Sequence, residues 1–228
     1  MKETGVNYAN ALADAQKQGF AEADPTNDVC GFDAARKLAI LSSIGFRANV
    51  TFDDVLVEGI EKIDKSDIQY AKDMGYTIKL LTVALRQENG IALNVYPAFL
   101  PDNHPLSSVK GAYNAIYVTG NIVDDVMFYG RGAGALPTAS AVMGDVISTA
   151  QHILNGSTGT GMIMTDTKRI PFYSSLKLQN SYYFRLDVDD VTGVLSQIAA
   201  AFAENDISIC EVVQKRKTKG LAELVLIT

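Results

Sequence analysis

Carboxylates gather early in the chain. Glu22, Asp24 and Asp28 fall within FAEADPTNDVCG, residues 20–31, where Pro25 breaks helical periodicity, and Asp33 and Lys37 follow four residues apart in FDAARKLAILSSIG. Acidic side chains just ahead of a helix complement the positive end of its dipole, and an Asp and a Lys at i, i+4 meet across one helical turn. Such exposed pairs are common and weak, contributing about 0.3–0.5 kcal/mol. Spacing alone therefore leaves two uses open, a solvated helix start or a charged cluster that does chemistry. The same three carboxylates could be offered to a divalent cation, but they lack the central Gly and closing Glu of an EF-hand loop. Cys30, beside them, has no nearby histidine to activate it, which favours a packed thiol over a nucleophile.

A second candidate is the glycine-rich stretch Tyr129 to Pro137, YGRGAGALP, which follows a strand pattern and precedes a helical one. Gly130, Gly132 and Ala135 fit G-x-G-x-x-A, in which glycines let the backbone approach a pyrophosphate at a helix N-terminus. No acidic residue follows about 20 positions later at a strand end, and the repeated βαβ pattern of a dinucleotide fold is missing. A close strand-to-helix turn accounts for the same glycines.

Composition excludes several other chemistries. The 228 residues hold two cysteines, Cys30 and Cys210, and two histidines, His104 and His152, all far apart. That is too few and too scattered for a disulfide framework, a zinc site or a histidine-based triad. Twenty-six acidic against 20 basic residues, for a net charge of -6, with no dense Lys/Arg block, speak against a nucleic-acid partner. No apolar run approaches the roughly 20 residues that span a bilayer, and MKETGVNYAN is not a signal peptide, so no membrane partner is expected and the chain reads as cytoplasmic. A hydrophobic fraction of 47% suits a well-buried core.

The elements that position these residues follow from periodicity. Val6, Ala9, Leu12, Ala13 and Ala15 recur at helical spacing up to a stop at Gly19, and Phe32, Ala35, Leu38, Ala39 and Ser42 line one side of a second helix ending at Gly45. After a capped segment at Thr51 to Ile60, TIKLLTVALRQ and IALNVYPAFL predict two strands joined through Glu88, Asn89 and Gly90, with Asn-Gly as the hairpin signal. AIYVTGNIV and VMFYG predict two more strands. Leu136 to Asn155 predicts a helix with Pro137 in its first turn. The small, polar composition of 156–175 predicts a linker, and beyond it the order is strand, helix, strand, strand, with a Lys/Gly turn between the last two. The fold class is α/β (α+β): a mixed β-sheet with helices on one face over 1–155, then a partial βαββ unit over 176–228.

The string AEADPTNDVCGFDAARKLAIL resembles the signature of homoserine dehydrogenases. The resemblance continues through DDVLVEGI, GYTIKLL, HPLSSVKGAYNAIYV and YGRGAGALPTASAVMGDVI, and so covers essentially the whole chain. It implies reversible, NAD(P)-dependent reduction of aspartate 4-semialdehyde to homoserine, leading to threonine, methionine and isoleucine. By motif position Lys37 would be the general acid that protonates the developing alkoxide, and the base in reverse. Asp33 would hydrogen-bond the substrate hydroxyl or orient Lys37, and Glu22 and Asp28 would hold the α-ammonium of the small amino-acid substrate. Gly132, Gly134 and Thr138 would approach the cofactor from the substrate side.

Members of that family begin with a Rossmann-type domain. Here Met1 stands just before the first helix, so the expectation is a chain whose NAD(P) is bound mainly by a domain it lacks. The terminal unit resembles an ACT domain through DVDDVTGVLSQIAAAFAENDISI, which implies a threonine effector near Asp190, Gly193 and Leu195. Thr228 would leave that domain incomplete. The family resemblance also implies a homodimer or tetramer. The alternative is a non-catalytic amino-acid-binding or oligomerisation module, and Lys37 discriminates between the two.

Overall fold

The structure, a computed structural model, describes residues 8–17, 22–157, 170–173, 178–216 and 220–228. Two compact units are present, residues 1–175 and 176–228. In the first, helix α1 (Tyr8–Lys17), a single turn α2 (Thr26–Val29) and α3 (Phe32–Phe46) precede strand β1 (Leu56–Val57), helix α4 (Lys65–Asp73), strands β2 (Tyr76–Gln87) and β3 (Gly90–Pro101), strands β4 (Tyr113–Gly120) and β5 (Asp124–Arg131), and helix α5 (Ala135–Leu154). The expected stop at Gly19, most of the 156–175 linker and most of the final Lys/Gly turn lie outside the described residues.

Helix α3 forms because its apolar residues share one face. Ala35, Leu38, Ala39 and Ser42, spaced at i, i+3, i+4 and i+7, are buried, and the three apolar ones meet Ala48, Val50, Val55, Ile91, Leu93 and Val95 in one core. Fully burying a side chain such as Ile91, which is 1% exposed, is worth roughly 1.5–3 kcal/mol. The helix does not end at Gly45, as the sequence suggests. It runs one residue further and stops where Arg47 turns left-handed, at φ 51°, its N–H bonded to the Ser43 carbonyl. With open space around Gly45, nothing there forces a break.

The core sheet is mixed, in the order β1-β3-β2, with β1 parallel to β3 and β2 antiparallel to it. Gln87 pairs with Gly90, so Glu88 and Asn89 make the turn by themselves. Gly90 is instead required by a close approach: a Cβ there would sit 2.2 Å from the Pro171 carbonyl oxygen, which also accepts the Ile91 N–H at 3.0 Å. The second predicted strand pair does not join this sheet. Strands β4 and β5 form a separate antiparallel ribbon, because residues 102–112 are taken up by turns and a 3-10 segment, Pro105–Ser108, rather than by a strand in register with β2 or β3. Helix α4 is an addition to the predicted elements. Its Asp64 accepts from the N–H groups of Ser66 and Asp67, and Asp67 returns the bond to the Asp64 N–H, a reciprocal cap.

In the second unit β6 (Tyr183–Asp189), α6 (Val194–Glu204), β7 (Glu211–Arg216) and β8 (Leu221–Ile227) follow in the predicted order. Strand β8 lies between the other two and is antiparallel to both. One face carries Phe184, whose ring packs edge-on against Phe202 of α6 at 5.4 Å. The other carries Glu223, buried, with Arg185 at 3.3 Å, opposite Asp187 on β6 and Lys215 on β7.

Candidate active site

The acidic segment is fastened to the core at several points. Gly31 leads into α3 with φ 80°, and a Cβ on it would press on Val95 Cγ1 at 3.1 Å and Val57 Cγ1 at 3.3 Å. Glycine is the residue that tolerates both demands. The turn α2 is held by the loop that follows β1: the Ile60 N–H donates to the Val29 carbonyl at 2.9 Å. Gly59 lies so close that a Cβ would stand 2.4 Å from the Val29 oxygen and 2.7 Å from the Cys30 Cα. The Cys30 thiol donates to Glu61 Oε2 at 3.3 Å.

Two of the three carboxylates, those of Asp24 and Asp28, are engaged within the segment. The Asp24 Oδ1 accepts from the Thr26 hydroxyl at 2.6 Å and from the Thr26 N–H at 3.1 Å. Those bonds hold the Asp24 carboxyl below its ordinary pKa, and they occupy it in shaping the turn. The Asp28 Oδ2 accepts the Glu22 N–H at 3.3 Å, which closes the segment on itself. Gln16 Nε2 of α1 donates to the carbonyls of Glu22 at 2.9 Å and Ala23 at 3.2 Å. Of the predicted substrate residues, Glu22 and Asp28 are thus brought together, and so are Asp33 and Lys37.

The second pairing is direct. Lys37 Nζ stands 2.6 Å from Asp33 Oδ2, with the two side chains 68% and 48% exposed. Such openness makes the pair weak as a stabilising element and accessible as a chemical one. An ammonium held by one carboxylate is oriented, keeps two N–H bonds for a ligand, and can give a proton. Cys30 is a poor nucleophile by contrast, since its bond to the Glu61 carboxylate, with burial and the negative charge of Glu61 and Asp24, pushes the thiol up in pKa. Among the described residues no three His, Cys, Asp or Glu side chains are grouped to hold a metal ion.

The glycine-rich stretch serves a different geometry from a dinucleotide fingerprint. Strand β5 is antiparallel to β4 and belongs to no parallel βαβ unit. A Cβ on Gly132 would fall 2.0 Å from Nδ2 of the exposed Asn114 side chain, which would have to turn aside, and Gly134, at φ 118°, caps α5. The Thr138 N–H donates to the Gly134 carbonyl at 3.0 Å in the first turn. In the second unit, the Asp190 N–H donates to the Gly220 carbonyl at 2.8 Å, Gly193 caps α6 with φ 96°, and Leu195 is exposed.

The sequence model of the homoserine dehydrogenase family matches residues 1–147. This chain belongs to the homoserine dehydrogenase family. It is 46% identical over 220 residues to the homoserine dehydrogenase of Mycobacterium tuberculosis, a match that covers 94% of this chain and 49% of that protein. The crystal structure of a homoserine dehydrogenase from Thiobacillus denitrificans is similar with a TM-score of 0.90 and 36% identity, over 100% of this chain and 52% of that one. A hyperthermophilic archaeal homoserine dehydrogenase mutant in complex with NADPH is similar with a TM-score of 0.50 and 28% identity, over 63% of this chain and 40% of that one. The chain thus spans about half the length of the homoserine dehydrogenases it matches. The mixed α/β architecture is that of this family's catalytic domain.

Three features of the homoserine dehydrogenase segment were not singled out from sequence. Arg36, next to Lys37, donates from Nη1 to Asn27 Oδ1 at 2.9 Å, its guanidinium lies 5.3 Å from the centre of the Phe52 ring, and Phe32 meets Phe52 edge-on at 5.9 Å. No pattern announces such a contact, although an Arg one residue from a candidate catalytic group was a signal available to use.

Proposed function

We propose that this chain supplies the substrate-binding and acid–base half of a homoserine dehydrogenase, which interconverts L-aspartate 4-semialdehyde and L-homoserine with NAD(P)H. The observation that carries the reading is the open Asp33–Lys37 pair, 2.6 Å apart, on the helix that follows a closed, fastened acidic segment. The nicotinamide cofactor, when bound, supplies the hydride to the aldehyde carbon. Lys37 Nζ then gives a proton to the carbonyl oxygen as it becomes an alkoxide, and takes it back in the reverse direction. Asp33 holds that ammonium in place, and Glu22 and Asp28 pair with the substrate's α-ammonium, which fixes the reacting carbon relative to Lys37.

The cofactor is bound mainly by a nucleotide-binding domain outside these residues, and Gly132, Gly134 and Thr138 face it from the substrate side. The exposed first turn of α5, which lacks a Cβ at its cap, fits that role by offering free N–H groups to an anionic group. The NADPH complex of the archaeal relative supports the choice of cofactor class. Residues 1–155 form the catalytic region, 156–175 the linker, and 176–228 an ACT-like unit whose groove near Asp190, Gly193 and Leu195 takes a threonine effector. The β6-β8-β7 order and the glycine cap of α6 support that assignment. Exposed apolar side chains on β4, β5 and α5, among them Phe128, Met143 and Val146, support assembly as a homodimer or tetramer.

The test is steady-state oxidation of NADPH by the full-length protein with aspartate semialdehyde. Lys37→Ala is expected to lower kcat by about 10²–10⁴-fold with unchanged circular dichroism. Turnover undiminished by that substitution sinks the assignment.

A further inference from the structure

Building on the proposed reaction, we propose that Arg36 is a positioning residue: it ties the acidic segment that holds the substrate's ammonium to the helix that carries Lys37. Four-residue α2 is too short to hold its own shape and has no side-chain cap at Pro25. Its location is therefore set by what it touches. The ties from Gly59, Ile60 and Glu61 all act at its C-terminal end, on Val29 and Cys30. Asn27 lies at the other end, next to Asp28, and there the Arg36 guanidinium grips it at 2.9 Å.

Arg36 is suited to transmit a position rather than to supply charge alone. Its planar fork is held over the Phe52 ring at 5.3 Å, and Phe52 is braced by Phe32 in the first turn of α3, so the donor direction toward Asn27 is fixed by stacking. Asn27 adjoins Asp28, which in turn accepts the Glu22 N–H. One chain of contacts thus runs from α3 through Arg36 and Asn27 to the Asp28 carboxylate and, through the Glu22 N–H, to the backbone that carries the second carboxylate proposed for the ammonium. Arg36 is covalently next to Lys37, so the same side chain sets how far the ammonium site stands from the proton donor. Loosening it spreads the binding carboxylates over more positions, which weakens substrate capture while leaving the Asp33–Lys37 pair intact.

The experiment is a double-mutant cycle in the full-length protein, with Arg36→Met, Asn27→Ala and both together, read as KM for aspartate semialdehyde and kcat. Each single change is expected to raise KM about five-fold with kcat within about two-fold, and the double change is expected to be no worse than about five-fold. A roughly 25-fold rise in the double variant, unchanged KM in the single ones, or a loss confined to kcat overturns the proposal. Should Arg36→Met fail to fold, Asn27→Ala alone carries the same split of KM from kcat, and an unchanged KM there overturns it. A wild-type protein that turns over the substrate while the variants behave like it removes only the role of Arg36. A wild-type protein without turnover removes the reaction itself and this inference with it.

Discussion

The acidic segment before α3 and the glycine-rich junction before α5 look alike in sequence, since each leads through glycine into a helix. In the structure they differ in what holds them. Around the first, Gly31 and Gly59 are glycines because the core strands and the backbone of residues 29 and 30 stand against them, and α3 sinks five residues into the core. Around the second, Gly130 has open space, and no residue of the 20-residue α5 is buried. Strands β4 and β5 rest chiefly on each other, with Tyr113 and Tyr129 stacked at 4.8 Å and Arg131 over Tyr113, and on His104 of the preceding turn, 5.2 Å from Tyr117. A two-stranded ribbon of this kind is marginal by itself. The segment around α3 therefore draws its support from the core sheet, and the segment around α5 leaves its helix uncovered.

The sharpest way to break this contrast is to put the same small group into both places. Gly59→Ala is expected to destabilise by about 1–3 kcal/mol and to raise KM for the substrate, because the added methyl must displace backbone at Val29 and Cys30. Gly130→Ala should stay within about 0.5 kcal/mol. Urea denaturation of both variants measures the difference, and equal losses would erase it. Next in size, if the proposed assembly uses exposed α5, Val146→Asp is expected to shift it toward a smaller species in light scattering, with the far-UV spectrum of the protein preserved. An unchanged mass would move the interface off this helix.

The smallest effect concerns the ribbon and acid. Asp125 accepts the Thr119 hydroxyl at 2.7 Å, and bonds from Thr119 and Tyr117 hold its pKa below the ordinary value of 3.8. A carboxyl lowered on folding contributes stability above its unfolded pKa and loses it as the pH falls through the folded value. Amide protection factors across β4 and β5 should therefore fall below about pH 4, with the wild type converging on Asp125→Asn, which lacks the contribution at every pH. Parallel pH profiles for the two proteins would assign the ribbon's acid response to another group.

Much of this was open to reading from residue order, for reasons that also mark where such reading stops. The burial stripe of α3 repeats often enough to outvote local noise, the β-branched and aromatic runs on either side of Asn89-Gly90 mark the hairpin, and the Asp33–Lys37 spacing fixes their proximity once a helix is granted. Helix α4 is polar nearly throughout and offered little periodicity, although Asp64 and Asp67 are a legible cap. The end of α3 was misplaced because a glycine permits a stop without compelling one, whereas Arg47 is driven left-handed by the chain that follows. The separation of β4 and β5 from the core sheet was invisible, since β-branched and aromatic content identifies a strand and not its partner. The Arg36–Asn27 contact depends on the left-handed turn at Gly31 that folds residues 26–29 back toward α3, and no spacing rule encodes such a fold-back.

Glu223 gives the second unit a property of another kind. It sits on the central strand, on the face with Arg185, Asp187 and Lys215, while the opposite face packs Phe184 against α6. Sliding β8 by one position would turn the carboxylate toward those aromatic rings, where an unpaired charge costs several kcal/mol. The buried acid works as a key in a lock with two orientations: it opens the strand order seen here and refuses the mispaired sheet that an all-apolar strand such as LVLI would otherwise accept. During folding, that refusal spares the chain its nearest wrong answer.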